Sequence, residues 1–268
     1  MLKITSLQNS KVKELLQLRE SRHRRETGLF LIEGARELER ALASAYQLRS
    51  LFFCPTLLSE SARHILVTTP DKFKLELTEA VFAKAAVRES SDGILAVLEQ
   101  RSISLEDLKL PAEPWLLVLE DVEKPGNQGA LARTADGAGV DALIVLDPKA
   151  DLYNPHAVRA SVGALFSRPL VACGRESFLR FCQDQKIRIV TASPFASRFH
   201  FEAKLDGAVA IVLGSEARGL SDAWQYVEHQ AVKIPMCGLA DSLNVSVAGA
   251  VILYESLRQR SLKTPRPS

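Results

Sequence analysis

Residues 233–255 read KIPMCGLADSLNVSVAGAVILYE: a short apolar run, a loop rich in Gly, Ala and Asp, then apolar positions that recur at helical spacing. Ser242 and Asn244 stand where that helix would start. Their side chains can cap it, and the unpaired N–H groups of its first turn can face a ligand. A capped helix entering a hydrophobic core has the same pattern. The stretch becomes decisive only when two other turns are set beside it.

Upstream lie four apolar runs: WLLVLE at 115–120, ALIVLD at 142–147, IRIVTA at 187–192 and AVAIVLG at 208–214. Each is followed by a turn marked by Gly, Asn or Pro and then by a helical pattern. Continuous rather than alternating apolar runs predict strands buried on both faces, hence a parallel sheet with helices on each side. Ligands of such sheets bind at the carboxyl ends of the strands, so the polar turns are where chemistry is sought.

The first such turn is LEDVEKPGNQGALARTADGAGV, residues 119–140. Pro125 and Gly126 set a tight turn, Asn127 is placed to cap the next helix, and Arg133 lies six residues on. Gly129, Ala132, Ala135, Gly137, Ala138 and Gly139 give this helix a small face against which another backbone can pack closely. Arg133 reads equally as a surface salt-bridge partner. The second turn is VLGSEARGLSD, residues 212–222. Gly214 and Gly219 have the spacing of a phosphate loop, but Leu220 and Ser221 replace the Lys and Ser/Thr that a nucleoside triphosphatase needs. What remains is a turn offering backbone N–H groups, with Glu216 as an acceptor for a hydroxyl or amine. A solvated glutamate is its alternative reading.

The first hundred residues alternate strands and helices. Asn9 precedes a helix with apolar Val12, Leu15, Leu16 and Leu18 and a basic far side, followed by FLIEG (30–34), the helical AxELERAL (35–42), LRSLFFC (48–54), a helix, HILVT (64–68) as a short strand, a helix over Glu79 to Ala86, and GILAVLE (93–99). This predicts a small α/β unit over 1–100. RSISLEDLKLPAEP (101–114), with two prolines and no sustained apolar period, predicts a linker before a second domain over 115–260. The tail SLKTPRPS (261–268) predicts disorder.

The chain has 34 Lys and Arg against 32 Asp and Glu, so no global field announces nucleic acid. Locally, residues 1–25 hold Lys3, Lys11, Lys13, Arg19, Arg22, Arg24 and Arg25 against only Glu14 and Glu20, which suits a phosphate-binding surface or a solvated helix face. Cys54, Cys173, Cys182 and Cys237 form no CxxC pair and suggest neither zinc nor a disulfide framework; no metal is expected. The start lacks a signal-peptide pattern, and no window reaches the roughly 18 apolar residues of a membrane span. A cytoplasmic protein without a membrane partner is expected. Ser242, Asp241 and His229 have no pattern linking them, and no GxSxG elbow is present, which argues against a hydrolase.

Three motifs carry a resemblance: N-x-G-A-L-A-R-x-A-x-G-x-G at 127–139, L-G-S-E-x-x-G-L at 213–220 and I-P-M-x-G-x-x-x-S-L-N-V-S at 234–246. In this order and spacing they resemble the motifs of the SpoU family of RNA ribose 2′-O-methyltransferases, over essentially all of residues 115–258. Gly137 stands where alanine is commoner in that motif, which loosens the helix without touching the chemistry. The first domain, through FLIEGARELERAL and DGILAVLE, is similar to the ribosomal-protein-like substrate-binding domain attached to many members.

The resemblance implies an α/β fold in which a parallel-sheet methyltransferase domain closes in a deep trefoil knot and follows a small α/β RNA-binding domain. The last helix, from Asn244 to Arg258, would pass through a loop containing Leu213 to Leu220. It implies a homodimer, with S-adenosylmethionine held by Thr191, Leu213, Gly214, Glu216, Gly219, Ile234, Met236 and Leu243, and Arg133 reaching in from the partner. Asn127, Glu216, Ser242 and Asn244 would hold the target nucleotide and order the loops. The family proposal makes the arginine at this position the proton acceptor. A free guanidinium stays charged up to about pH 12, so stabilisation of the developing alkoxide by a charged Arg133 stands beside it as a second assignment.

The extra domain favours ribosomal RNA over transfer RNA, because it provides a separate platform for shape recognition. Arg22, Arg24, Arg25, Glu33 and Gly34 are its expected RNA contacts, and Arg159, in YNPHAVRASVGALF, is a second cation expected near the site. A transfer-RNA methyltransferase and a non-catalytic RNA-binding or ribosome-assembly factor are the alternatives. The second predicts loss of the polar motif residues, all of which are present.

Overall fold

A computed structural model describes residues 2–87, 91–147 and 151–263. The chain separates into two compact units, Met1–Arg101 with Asp151–Ser167, and Ser102–Ala150 with Arg168–Ser268.

The first unit contains β1 (Leu2–Ile4), α1 (Ser10–Gln17), α2 (Ser21–Thr27), β2 (Leu29–Glu33), α3 (Ala35–Ala43), β3 (Leu48–Phe53), α4 (Glu60–Thr68), β4 (Lys74–Leu77), α5 (Glu79–Ala85) and β5 (Ile94–Glu99). Its sheet runs β1-β4-β3-β5-β2, with β5 antiparallel to both neighbours and the other pairs parallel. Asn9 caps α1 by accepting from the Lys11 N–H at 2.9 Å. The basic segment forms two helices rather than one, and Gly28, with φ of 65°, ends the second.

HILVT, expected as a strand, is the second half of α4. Ser59 caps that helix at Ala62 N–H, and Ala62 and Ile65 are buried three residues apart, so helical spacing and a good cap outweigh the β-branched side chains. The strand comes later, as KLEL.

Residues 151–167, read from the sequence as part of the second domain, pack with the first unit. They contain α7 (Pro155–Ala160) and a short 3-10 turn, Ala164–Phe166. Tyr153 lies over Phe30 with ring centroids 4.7 Å apart, and Phe166 meets Tyr46 at 4.9 Å. Arg24, only 1% exposed, donates from Nε and Nη2 to Asp151 Oδ2 at 2.7 and 2.5 Å, and from Nη1 to the Leu18 carbonyl at 2.6 Å. An aromatic cluster and a buried ion pair thus bind this segment to its unit, and neither was visible from periodicity.

The second unit contains β6 (Trp115–Glu120), α6 (Pro125–Ala138), β7 (Ala142–Leu146), β8 (Leu170–Cys173), α8 (Arg175–Asp184), β9 (Arg188–Ala192), β10 (Arg198–Phe199), β11 (Val209–Leu213), β12 (Gln230–Lys233) and α9 (Val245–Lys263). The sheet order is β10-β12-β9-β11-β6-β7-β8, and every pairing is parallel. All residues of β6, β7 and β11 are buried, as the unbroken apolar runs require. Residues 101–114 are not a free linker: Leu105 is buried in this core and Ile103 bridges to Val171. Two apolar residues ahead of the prolines gave too short a period to show it. The expected last helix extends to Lys263, so Ser261 to Lys263 are helical; the rest of the expected disordered tail lies outside the described residues.

Helix α9 returns onto α6 and β11 at Gly249, where an added Cβ would lie 2.4 Å from Leu131 Cδ2 and 2.7 Å from Leu213 Cδ1. Gly249→Ala is therefore expected to cost about 1–3 kcal/mol through overpacking, measured by denaturant titration. Arg24→Ala, which strands the Asp151 carboxylate, is expected to cost about 3–5 kcal/mol, and the double replacement Arg24→Met with Asp151→Leu to recover most of it.

Candidate active site

Because every strand of the seven-stranded sheet is parallel, the carboxyl ends of β6, β11, β9 and β12 share one edge. The turn after β6 runs from Asp121 to α6. Asp121 has a φ of 52°, and the buried Gln128 donates from Nε2 to the Val122 carbonyl at 2.7 Å, which pins the turn to its own helix. Pro125 is the first residue of α6 and Lys124 precedes it as N-cap, so Asn127 sits inside the first helical turn. It is not the cap expected from the sequence, because proline pre-sets the helical φ two residues earlier. Its side chain is free to donate from Nδ2 to Glu216 Oε1, across 89 residues of sequence.

Glu216 tips the turn after β11. Ser215 and Gly219 exchange both backbone hydrogen bonds, at 3.0 and 2.9 Å, closing a tight loop, and Ser215 Oγ accepts from the Ala217 and Arg218 N–H groups. Gly219 has a φ of 68°. A Cβ on Gly214 would fall 2.4 Å from the Gly219 carbonyl carbon, so the two arms of the loop close only around a glycine.

The third turn follows β12. From Pro235 to Leu243 the chain makes no hydrogen bond among the described residues, which leaves a row of backbone donors and acceptors unclaimed. Ile234, Met236 and Leu243 are half-buried there, and Ser242 is exposed. Asn244 caps α9, accepting from Ser246 N–H at 3.0 Å and from its hydroxyl at 2.7 Å. Thr191 is buried within β9, and Leu213 is buried at the end of β11 against Gly249. Arg133 is exposed on α6 and has no hydrogen bond or ion pair among the described residues.

Sequence reading missed two residues that shape this edge. Glu120, the last residue of β6, is 2% exposed and accepts from Arg175, Ser221 and Trp224. Gln128 is the other. A charged residue ending an apolar run was the available signal for Glu120; nothing marked Gln128. Burial, aided by Asp147 and Glu106, pushes the Cys173 thiol up to about 11, and burial pushes the Cys182 thiol up to about 12. Among the described residues there is no group of three or more His, Cys, Asp or Glu that could hold a metal ion, and no helix long and apolar enough to cross a membrane.

The expected RNA contacts of the first unit divide. Arg22 pairs with Glu26 on the surface and Arg25 reaches Ser21, and both stay exposed. Arg24 is a correction: its guanidinium is consumed by Asp151 and the Leu18 carbonyl inside the unit. Glu33 is another: it is buried and accepts from Val87 N–H at 2.8 Å, at the end of a strand whose last four residues are all buried, so both of its faces are covered. Gly34, with φ of 116°, is buried beside Glu37. Arg159 is exposed on α7 and belongs to the first unit, not to the unit that carries the three turns.

Comparison with known proteins agrees with the geometry. Residues 114–254 match the SpoU rRNA Methylase family, and residues 9–96 match the MRM3-like substrate binding domain. The chain is 31% identical over 267 residues to a 23S rRNA (uridine(2479)-2′-O)-methyltransferase of Streptomyces viridochromogenes, covering 96% of this chain and 92% of that one. A crystal structure of an RNA 2′-O ribose methyltransferase superposes with a TM-score of 0.83 at 38% identity, over 96% of this chain and 99% of that one. The SpoU methyltransferase AviRb of Streptomyces viridochromogenes, crystallised with AdoMet, gives a TM-score of 0.85 at 28% identity, over 94% and 98%. With residues 127–139 in the helix after β6, and 213–220 and 234–246 in the turns after β11 and β12, gathered at one edge of a parallel sheet, the chain belongs to the SpoU rRNA methylase family.

Proposed function

We propose that the protein transfers a methyl group from S-adenosylmethionine to a ribose 2′-hydroxyl of ribosomal RNA. The observation that carries this reading is the hydrogen bond from Asn127 to Glu216, which joins the turn after β6 to the turn after β11. Similarity to 23S rRNA methyltransferases favours ribosomal over transfer RNA, and a relative crystallised with AdoMet supports the cofactor.

The residues present fit that cofactor. Gly214 lets the turn close against Gly219 and Leu220, which fixes its backbone at the strand end. The unclaimed polar groups of 235–243 supply donors and acceptors for an adenosine and an amino-acid end, and half-buried Ile234, Met236 and Leu243 supply apolar cover. Leu213, Gly214, Glu216, Gly219 and the buried Thr191 complete the set. Bound there, the sulfonium supplies an activated methyl group.

The chain's own work is then positioning and charge. Fixing the 2′-oxygen in line with the methyl carbon accounts for up to about 7–11 kcal/mol of barrier lowering. The new bond would join that oxygen to the methyl carbon as the carbon–sulfur bond breaks to leave a thioether, with the hydroxyl proton passing to solvent water. Asn127 and Glu216, held to each other, present an amide and a carboxylate toward the nucleotide, with Ser242 and Asn244 ordering the neighbouring loop. The Arg133 guanidinium holds the RNA phosphate and stabilises the developing alkoxide.

Arg133 acts from a second copy. Its exposure on α6 supports this, as do the exposed apolar side chains Val247, Tyr254 and Leu262 of α9, which packs beside α6. The return of α9 onto β11 at Gly249 supports the knotted path of the family. In the first unit, Arg22 and Arg25 on α2 form the RNA-facing cations. Similarity to rRNA-modifying enzymes of bacteria supports a cytoplasmic site of action.

Transfer of labelled methyl from S-adenosylmethionine to ribosomal RNA, followed by alkaline hydrolysis, tests the reading. Alkali-resistant dinucleotides are expected. Label confined to transfer RNA would redirect the substrate, and tight RNA binding without cofactor binding by calorimetry would mark a non-catalytic factor. Arg133→Ala is expected to lower single-turnover methyl transfer about 10²–10³-fold, and Arg133→Lys by less. Mixing Arg133→Ala with a folded Asn127→Ala variant is expected to restore part of the activity in hybrid dimers. Full activity of Arg133→Ala would remove it from the chemistry.

A further inference from the structure

At the carboxyl end of the central strand β6 lies a carboxylate that the mechanism above does not use. Glu120 is nearly inaccessible, and both of its oxygens are occupied. Oε1 accepts from Arg175 Nε at 3.0 Å, from Arg175 Nη2 at 2.7 Å and from the Ser221 hydroxyl at 3.2 Å. Oε2 accepts from the Ser221 N–H at 2.9 Å and from Trp224 Nε1 at 3.0 Å. Arg175 opens α8 and also lies 3.8 Å from Asp147, just beyond β7. One side chain therefore gathers groups from beyond β8 and β11 at the edge where the three turns meet.

The position of Ser221 gives this hub its meaning. It follows directly on the Gly214–Leu220 turn, whose tip, Glu216, is held by Asn127. Asn127 and Glu120 are seven residues apart on the segment leaving β6, and each holds one point of the turn after β11, at its tip and at its exit. We propose that Glu120 is a positioning residue that fixes the exit of this turn, so that its backbone and Glu216 are already in place when S-adenosylmethionine binds. The proposal rests on the reading of this edge as the cofactor site. It assigns a task to a residue outside the three motif stretches quoted above.

The chemistry of the acceptor matters more than its volume. A carboxylate accepts at both oxygens, whereas glutamine of the same shape brings an N–H₂ group against donors. In Glu120→Gln, either Arg175 or the Ser221 and Trp224 N–H groups face another donor, with no cavity created. The exit of the turn is then released while the core packing remains.

Two measurements on the full chain test this. In Glu120→Gln the amides of residues 215–221 are expected to lose at least tenfold in hydrogen-exchange protection, without cofactor. The KM for S-adenosylmethionine is expected to rise about tenfold or more, with the KM for RNA within twofold of wild type. Trp224→Phe, which removes one donor and leaves the carboxylate, is expected to change both in the same direction by a smaller factor. Glu120→Asp is expected to restore part of the cofactor affinity. Unchanged exchange in folded Glu120→Gln would overturn the proposal whether or not the wild type binds S-adenosylmethionine, whereas a wild type that binds none would overturn the cofactor reading itself. Should Glu120→Gln not fold, wild-type exchange and cofactor KM in Trp224→Phe would overturn the proposal.

Discussion

A sheet whose strands all run the same way has only one edge at which its outgoing turns meet, and that constraint governs the second unit. The order β10-β12-β9-β11-β6-β7-β8 places β11 and β6 side by side although 88 residues separate their ends, because β7 and β8 spread to one side and β9 to the other. The turns after β6 and β11 therefore begin as neighbours. Glu120 and Asn127 convert that adjacency into fixed contacts with Ser221 and Glu216. Glycine at 214 and 249 then allows backbone and helix to close around the turn where any side chain would intrude.

Order and openness are divided between these turns. The turn after β11 is closed by its own backbone at Ser215 and Gly219, so little conformational entropy remains to be lost there on binding. The stretch 235–243 is the opposite, with its polar groups unclaimed among the described residues. A rigid acceptor beside an unsatisfied segment suits a ligand that must be held along its length and then released as product. Asn244 marks where order resumes, at the cap of α9.

Much of this was legible in the sequence, for a physical reason. Runs such as WLLVLE and AVAIVLG had to be doubly buried strands, and glycine, asparagine and proline had to mark the turns after them. What escaped was set by contacts distant in sequence. HILVT has strand composition, yet its cap and buried spacing make it helix. Arg24 and Glu33 were expected to face RNA, but Asp151 and the Val87 N–H hold them inside the unit. Residues 151–167 join the first unit through partners more than a hundred residues away, such as Phe30 and Arg24. Asn127 was expected to cap its helix, but the proline before it starts the helix and leaves Asn127 inside the first turn.

The hydrogen bond from Asn127 to Glu216 ties the turns after β6 and β11 into one unit. A double-mutant cycle on S-adenosylmethionine affinity, with Asn127→Ala, Glu216→Ala and the pair, measures it by calorimetry. Non-additivity is expected, with a coupling of at least about 0.5–1 kcal/mol, so that the second substitution costs much less once the first is made. Strictly additive losses, with all three variants folded, would contradict it.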